Sequence, residues 1–212
     1  MTLPDDLQSP RSRSPITYAK VLLVEGRDVF EFFKALLRHL SLLTEIEIRN
    51  FGGVNQLPTY LRTLTVTPGY SEVTSLAIIR DAEMDLDTAF KFVGSSLRQA
   101  GLSVPQQPGG QVIGQPKISI FLLPDCLNPG MLETLCLQAI SSDPVMPCVE
   151  QYFQCVQAQT GLELNNPSKA HLHTFLSSKP EPGLLLGQAA HRGYFPWDSP
   201  VFDRLKQFLR AL

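Results

Sequence analysis

The 212-residue sequence predicts an α/β fold: a mainly parallel sheet of about four strands, helices on both faces, and a helical C-terminal extension. Three observations lead there. Short apolar runs bounded by polar or turn residues recur at Val21–Val24, Leu76–Ile79 and Ile118–Leu123, as strands buried on both faces do. Segments with apolar residues every three or four positions lie between them, as crossover helices require. After Pro144 the strand signal stops and only helical spacing remains.

The elements follow in order. Residues 1–16 carry Asp5, Asp6, Arg11 and Arg13 among prolines and form an expected disordered leader with no secretory character. Lys20 to Val24 is the first strand. Asp28 to Leu43 is the first helix, with Phe30, Phe33, Leu36, Leu37 and Leu40 as its apolar stripe and Asp28 near its start, where a carboxylate caps free N–H groups. Glu45 to Asn50 alternates apolar and charged residues, which suits a strand near the sheet edge. Gly52-Gly53 turns the chain into a helix over Val54–Leu64; the pair either serves the turn or cradles a phosphate. Val73 to Arg80 is the third strand. Leu86 to Ala100 is a helix capped by Asp85 or Asp87, and residues 104–116 are a loop rich in Pro, Gly and Gln. Lys117 to Leu123 is the fourth strand, followed by a helix over Met131–Ile140. Residues 17–143 form the α/β domain. Residues 144–212 form the extension packed on it, with helices expected over Val145–Gln159, Ser168–Leu176 and Val201–Leu212.

Composition narrows the function. Hydrophobic residues make up 43%, enough for a substantial core, and the net charge is −2. That balance excludes a broad basic surface for polyanions but leaves room for a local groove. Cys126, Cys136, Cys148 and Cys155 lack zinc-site spacing and read as reduced thiols of a cytoplasmic protein, with Cys136 and Cys155 expected to be buried on helices. No apolar stretch suits a membrane span. No phosphate-binding Walker loop and no nucleophile elbow is present. The His171-x-His173 pair would point its rings apart on a helix and is not a metal pair.

The chemistry-bearing residues stand at strand ends. The first strand ends in Glu25-Gly26, and the third ends in Asp81-Ala82-Glu83. In a parallel sheet, ligands collect at the carboxyl ends of the strands. Three carboxylates gathered there repel one another unless a hard cation neutralises them. Taken singly, each acid reads first as a surface acid or helix cap; it is the three together that favour function. Glu133, after the fourth strand, belongs to the same edge and is either a further ligand or a dipole-favoured acid in a first helical turn. Asp125 is a weaker candidate. Lys169, Lys179 and Arg192 are candidate phosphate-binding cations, or solvated surface charges.

Glu-Gly after a first apolar strand and an acid-x-acid pair after a later one resemble the Toprim domain of type IA topoisomerases, bacterial primases and the overcoming-lysogenization-defect nucleases. The resemblance spans Lys20 to Ser142 and is greatest to small standalone Toprim-like proteins. Glu83 stands where that family usually has Asp. The resemblance implies Mg²⁺ (or Mn²⁺) held by Glu25, Asp81 and Glu83, with Glu133 as an added ligand. It implies phosphodiester chemistry on nucleic acid, of nuclease type, with Glu25, Asp81 and Glu83 catalytic. The alternative reading is a non-catalytic module that binds a nucleotide or a protein partner.

Overall fold

A computed structural model describes residues 14–212. Its centre is one five-stranded sheet in the order β2-β1-β3-β5-β4, where β1 is Lys20–Val24, β2 Ile46–Asn50, β3 Ser75–Asp81, β4 Gln111–Val112 and β5 Lys117–Leu123. Four strands are parallel. β4 alone is antiparallel, lying against β5 at the edge. It falls inside the stretch expected to be loop. Two residues among prolines and glycines leave no period to detect, so only pairing with β5 defines this strand.

The helices are α1 (Arg27–His39), α2 (Leu57–Leu64, entered through a 3₁₀ turn), α3 (Leu86–Gln99), α4 (Leu132–Ala139), α5 (Met146–Thr160), α6 (Pro167–Ser177), α7 (Leu186–His191) and α8 (Asp203–Arg210). The helix α7 was not expected, because six residues cannot declare a helical period. Asp28 does not cap α1. Gly26 holds that position, and Asp28 Oδ1 instead accepts from Gly187 N of α7 at 2.7 Å.

The pleat sorts the core into two layers. Val21, Leu23, Leu76, Ile78, Ile120 and Leu122 face α2 and α3. Leu22, Val24, Ala77, Ile79, Phe121 and Leu123 face α1 and the helices from α4 onward. The extension is tied in by aromatic packing. Phe32 of α1 meets Phe195, Trp197 and Phe202 with ring centroids 5.2–6.4 Å apart. Truncating such a buried ring costs about 3–5 kcal/mol, so the extension and the sheet share one core.

Of the expected leader, residues 1–13 lie outside the described residues. Residues 14–16 are held in place. Arg49 Nη2 donates to the carbonyls of Ser14 and Pro15, and Ile16 is buried with its N–H on Pro68 O. Among the described residues no helix is long and apolar enough to cross a membrane. All four cysteines are free. Cys126 and Cys136 are buried, but Cys155 is exposed, contrary to expectation. Only Met146 and Val149 of α5 are buried, Phe153 packs partly buried against the core and stacks on His171, and the last turn of the helix is exposed.

Candidate functional site

The strand order sets a switch point between β1 and β3. From β1 the chain crosses by α1 to β2 on one side. From β3 it crosses by α3 to β5 on the other. The crevice outside the carboxyl ends at such a point is where open α/β sheets take ligands. Glu25 follows β1 and Asp81 closes β3, so both expected acids belong to this edge.

They do not share a face. The register between β1 and β3 runs from Lys20↔Ser75 to Leu23↔Ile78. Continued two steps, it sets Glu25 against Arg80, not Asp81. Arg80 Nε lies 3.8 Å from Glu25 Oε2, in agreement. Both belong to the α2/α3 side, where the Arg80 guanidinium stands 4.9 Å from the Phe92 ring centroid. Asp81 shares the parity of Ala77 and Ile79 and turns to the α4 side, where its Oδ1 accepts from Leu132 N at 2.9 Å. Asp81 thus caps α4.

The Glu-Gly pair has a local cause. Gly26 adopts φ +85, ψ 164, a conformation that side chains resist, and its N–H is fixed by Asn50 Oδ1 at 2.8 Å. The same Asn50 oxygen receives Gly52 N at 2.8 Å. Asn50 therefore joins the loops after β1 and β2, and no motif in the sequence announced it. The Gly52-Gly53 turn serves the chain itself. Gly52 N is spent on Asn50, and the Val54 N–H favours the charged form of Glu25.

Charge is concentrated on Asp81. Burial, then repulsion from Glu133, outweighs the Leu132 N–H and lifts its carboxyl to about 7, with Glu83 and Glu25 adding to the rise. Burial also raises Glu25, against the pull of Arg80. Glu83 is exposed and holds φ 57; its backbone pairs with Gly130 through N–H···O contacts of 2.8 and 2.7 Å. That bridge clasps the loop after β5 to the loop after β3. Glu133 sits in the first turn of α4, one residue beyond the N–H that Asp81 caps. Asp85 caps α3 through Asp87 N and Thr88 N. Asp125 spends its oxygens on Leu127 N, Asn128 N and Asn128 Nδ2.

The cations separate. α6 runs alongside α4 in the same direction, with Ser168 Oγ 3.2 Å from Thr134 Oγ1 near one end and Lys179 Nζ 3.0 Å from Asp143 Oδ2 beyond the other. Lys169, exposed in the first turn of α6, belongs to the acidic end. Lys179 does not: it pairs with Asp143 and lies 4.0 Å from the Phe175 centroid, lining a cavity of about 410 Å³. Arg192 pairs with Glu181 at 2.9 Å. The phosphate-binding expectation for Lys179 and Arg192 is corrected accordingly, since each already has a carboxylate partner and Lys179 sits at the wrong end of α6.

The donor set is of hard oxygens, and its most buried member carries a proton near neutrality, a chemistry compatible with a hard cation. In spacing the set is open: among the described residues no three His, Cys, Asp or Glu side chains form a group that could hold a metal ion. Arg80, which no sequence motif singled out, is the cation that stands beside Glu25 at this edge.

A family model described as "Protein of unknown function (DUF3226)" matches residues 19–212. No curated protein and no solved structure matches the chain.

Proposed function

The chain belongs to that family, and we propose from the chemistry of its switch-point edge that it performs Mg²⁺-dependent phosphodiester chemistry on nucleic acid, of nuclease type, in the cytoplasm. The observation that carries this reading is Asp81. It is a carboxyl at a sheet switch point whose proton affinity is raised to about 7 by burial and by Glu133, Glu83 and Glu25. A site that favours a proton on a carboxylate among carboxylates also favours a divalent cation there. Asp81, Glu83, Glu25 and Glu133 are the side chains that would hold it, and since they do not close on one point as they stand, holding an ion would require them to draw together. When bound, Mg²⁺ supplies charge neutralisation at phosphate and a more acidic water.

The chain's own groups do the rest. Near pH 7 the Asp81 carboxyl exchanges a proton readily, which suits acid–base work. Leu132 N–H fixes one of its oxygens at the start of α4. Arg80 stands 3.8 Å from Glu25 at the rim of β1 and favours its charged form. Lys169 brings a positive charge to the acidic end of α6, where a phosphate would meet it.

The open spacing of the carboxylates favours a second reading, a non-catalytic module that binds a nucleotide or a protein partner. One experiment separates the two. Single- and double-stranded DNA and RNA are incubated with the purified protein in Mg²⁺ or Mn²⁺. The nuclease reading expects cleavage that D81A abolishes while the fold survives. No cleavage of any of the four, with a metal-dependent rise in melting temperature that needs Asp81, leaves the binding module.

A further inference from the structure

A groove of about 350 Å³ lies at the β4 edge of the sheet, between β4 and α8. Its floor is β5, where Ser119 shares the parity of Phe121 and turns away from Ile118, Ile120 and Leu122. One wall is β4. Gln111 stands opposite Ser119 in that antiparallel pair, so their side chains share a face. The other wall is one stripe of α8 and its C-cap, in which Arg204, Gln207, Phe208 and Ala211 recur at three- and four-residue spacing.

Ser119 is the residue that points to a ligand. It is 3% exposed, in a strand whose other residues after Lys117 are Ile, Phe and Leu, and among the described residues its hydroxyl makes no hydrogen bond. A missing bond alone says little. Ser75 Oγ on β3 also lacks one, but that atom is sealed from solvent. Ser119 instead lines the groove, within reach of what enters it. A buried hydroxyl is costly unless a partner meets it.

The groove is graded along its length. Lys117 Nζ donates to Ala211 O at one end, and Phe208 meets Phe121 with ring centroids 5.1 Å apart further along, so Ser119 lies between these contacts. Arg204 stands at the far end, over Gly109, whose missing Cβ would lie 3.5 Å from Nη2. Arg204 is exposed and among the described residues has no ion pair or hydrogen bond. Asp125 is close enough to feel its charge, but its oxygens are taken by Leu127 N and by the two nitrogens of Asn128.

Aromatic carbon, two carboxamides and a hydroxyl in the middle, with one guanidinium at the end, suit a flat heterocycle that carries one anion. A carboxamide sets a donor beside an acceptor, the pattern that nucleobase edges present. A guanidinium takes phosphate through two parallel bonds. The volume admits one small molecule and not a strand.

We propose that this groove is a binding site for a nucleoside monophosphate, with Ser119, Gln111 and Gln207 on the base and Arg204 on the phosphate. It does not rest on the nuclease reading, because the groove shares no residue with the carboxylates of the switch point.

The test is calorimetric titration of the full chain, in EDTA, with AMP, GMP, CMP and UMP, and with inorganic phosphate alone. At least one nucleotide should bind with a Kd of about 1 mM or tighter, and more tightly than phosphate. R204A should weaken that nucleotide at least tenfold, and S119A about three- to tenfold, the loss of one hydrogen bond. R210A removes the same charge from α8 at a position outside the groove and should leave affinity within about twofold. Circular dichroism melts check that each variant is folded; should S119A not fold, Q207A on the exposed wall is read in its place. The proposal is overturned if none of the four nucleotides binds at millimolar concentration, or if phosphate alone binds as tightly. It is equally overturned by affinity that survives R204A and S119A, or by an R210A loss as large as that of R204A, which would reduce the effect to general charge attraction.

Discussion

Replacing Asp81 by Asn should make the metal-free protein more stable at high pH, although it alters a carboxylate at the candidate site. The Asp81 carboxyl goes from an ordinary value of 3.8 to about 7 on folding, mainly through burial and repulsion from Glu133. A carboxyl raised by folding contributes its full stability below pH 3.8 and loses it as pH climbs to about 7. At 1.36 kcal/mol per pH unit, the charged form at pH 8 costs at most roughly 4 kcal/mol. Screening and relaxation at a half-buried site bring this to about 2 kcal/mol. The amide introduced by D81N keeps an oxygen that can accept from Leu132 N, so the α4 cap survives the change. For a chain of this size that predicts a rise of roughly 4–8 °C in Tm at pH 8 and almost none at pH 4. Circular dichroism melts of wild type and D81N at both pH values, in EDTA, decide it. A D81N that is no more stable than wild type at pH 8, or that shifts equally at both pH values, refutes the charge argument.

Millimolar Mg²⁺ should raise the Tm of wild type at pH 8 by mass action and leave that of D81A unmoved; a wild type indifferent to Mg²⁺ counts against any metal at this edge. In the cleavage assay E83D should retain or exceed wild-type activity, since it places the residue usual in the resembled family on an exposed turn; a hundredfold loss would give Glu83 a role beyond ligation. K169A should weaken binding of a labelled oligonucleotide and flatten its salt dependence, while R192A, whose partner is Glu181, should change neither, as read by anisotropy across a salt series. G187A should destabilise by about 1–3 kcal/mol in urea melts, the reverse of the usual gain from Ala in a helix, because the added Cβ would stand 2.5 Å from Asp28 O and 2.7 Å from Glu31 Cβ; a stabilised G187A would show that α7 can lift from α1.

The parallel strands and their ends were legible in the residues alone. Lys20–Val24 and Lys117–Leu123 run as read, because a strand buried on both faces must be continuously apolar and must stop where polar residues begin. The edge was legible too: Glu25 follows β1 and Asp81 closes β3, and parallel strands put their carboxyl ends together. So was an acidic cap for α3, open between Asp85 and Asp87 in the residues and taken by Asp85 in the fold. Long-range packing set the rest. Which face each acid takes depends on the register between β1 and β3, and a one-residue offset sets Glu25 beside Arg80 and sends Asp81 to α4. Register comes from packing of two layers at once, which no single strand encodes. The cations were separated by the path of α6 alongside α4, a matter of docking. The helix α7 docks on α1 and has its first turn capped by Asp28, 159 residues away. Short elements such as α7 and β4 draw their stability from such distant contacts, so their own residues carry too little pattern to announce them.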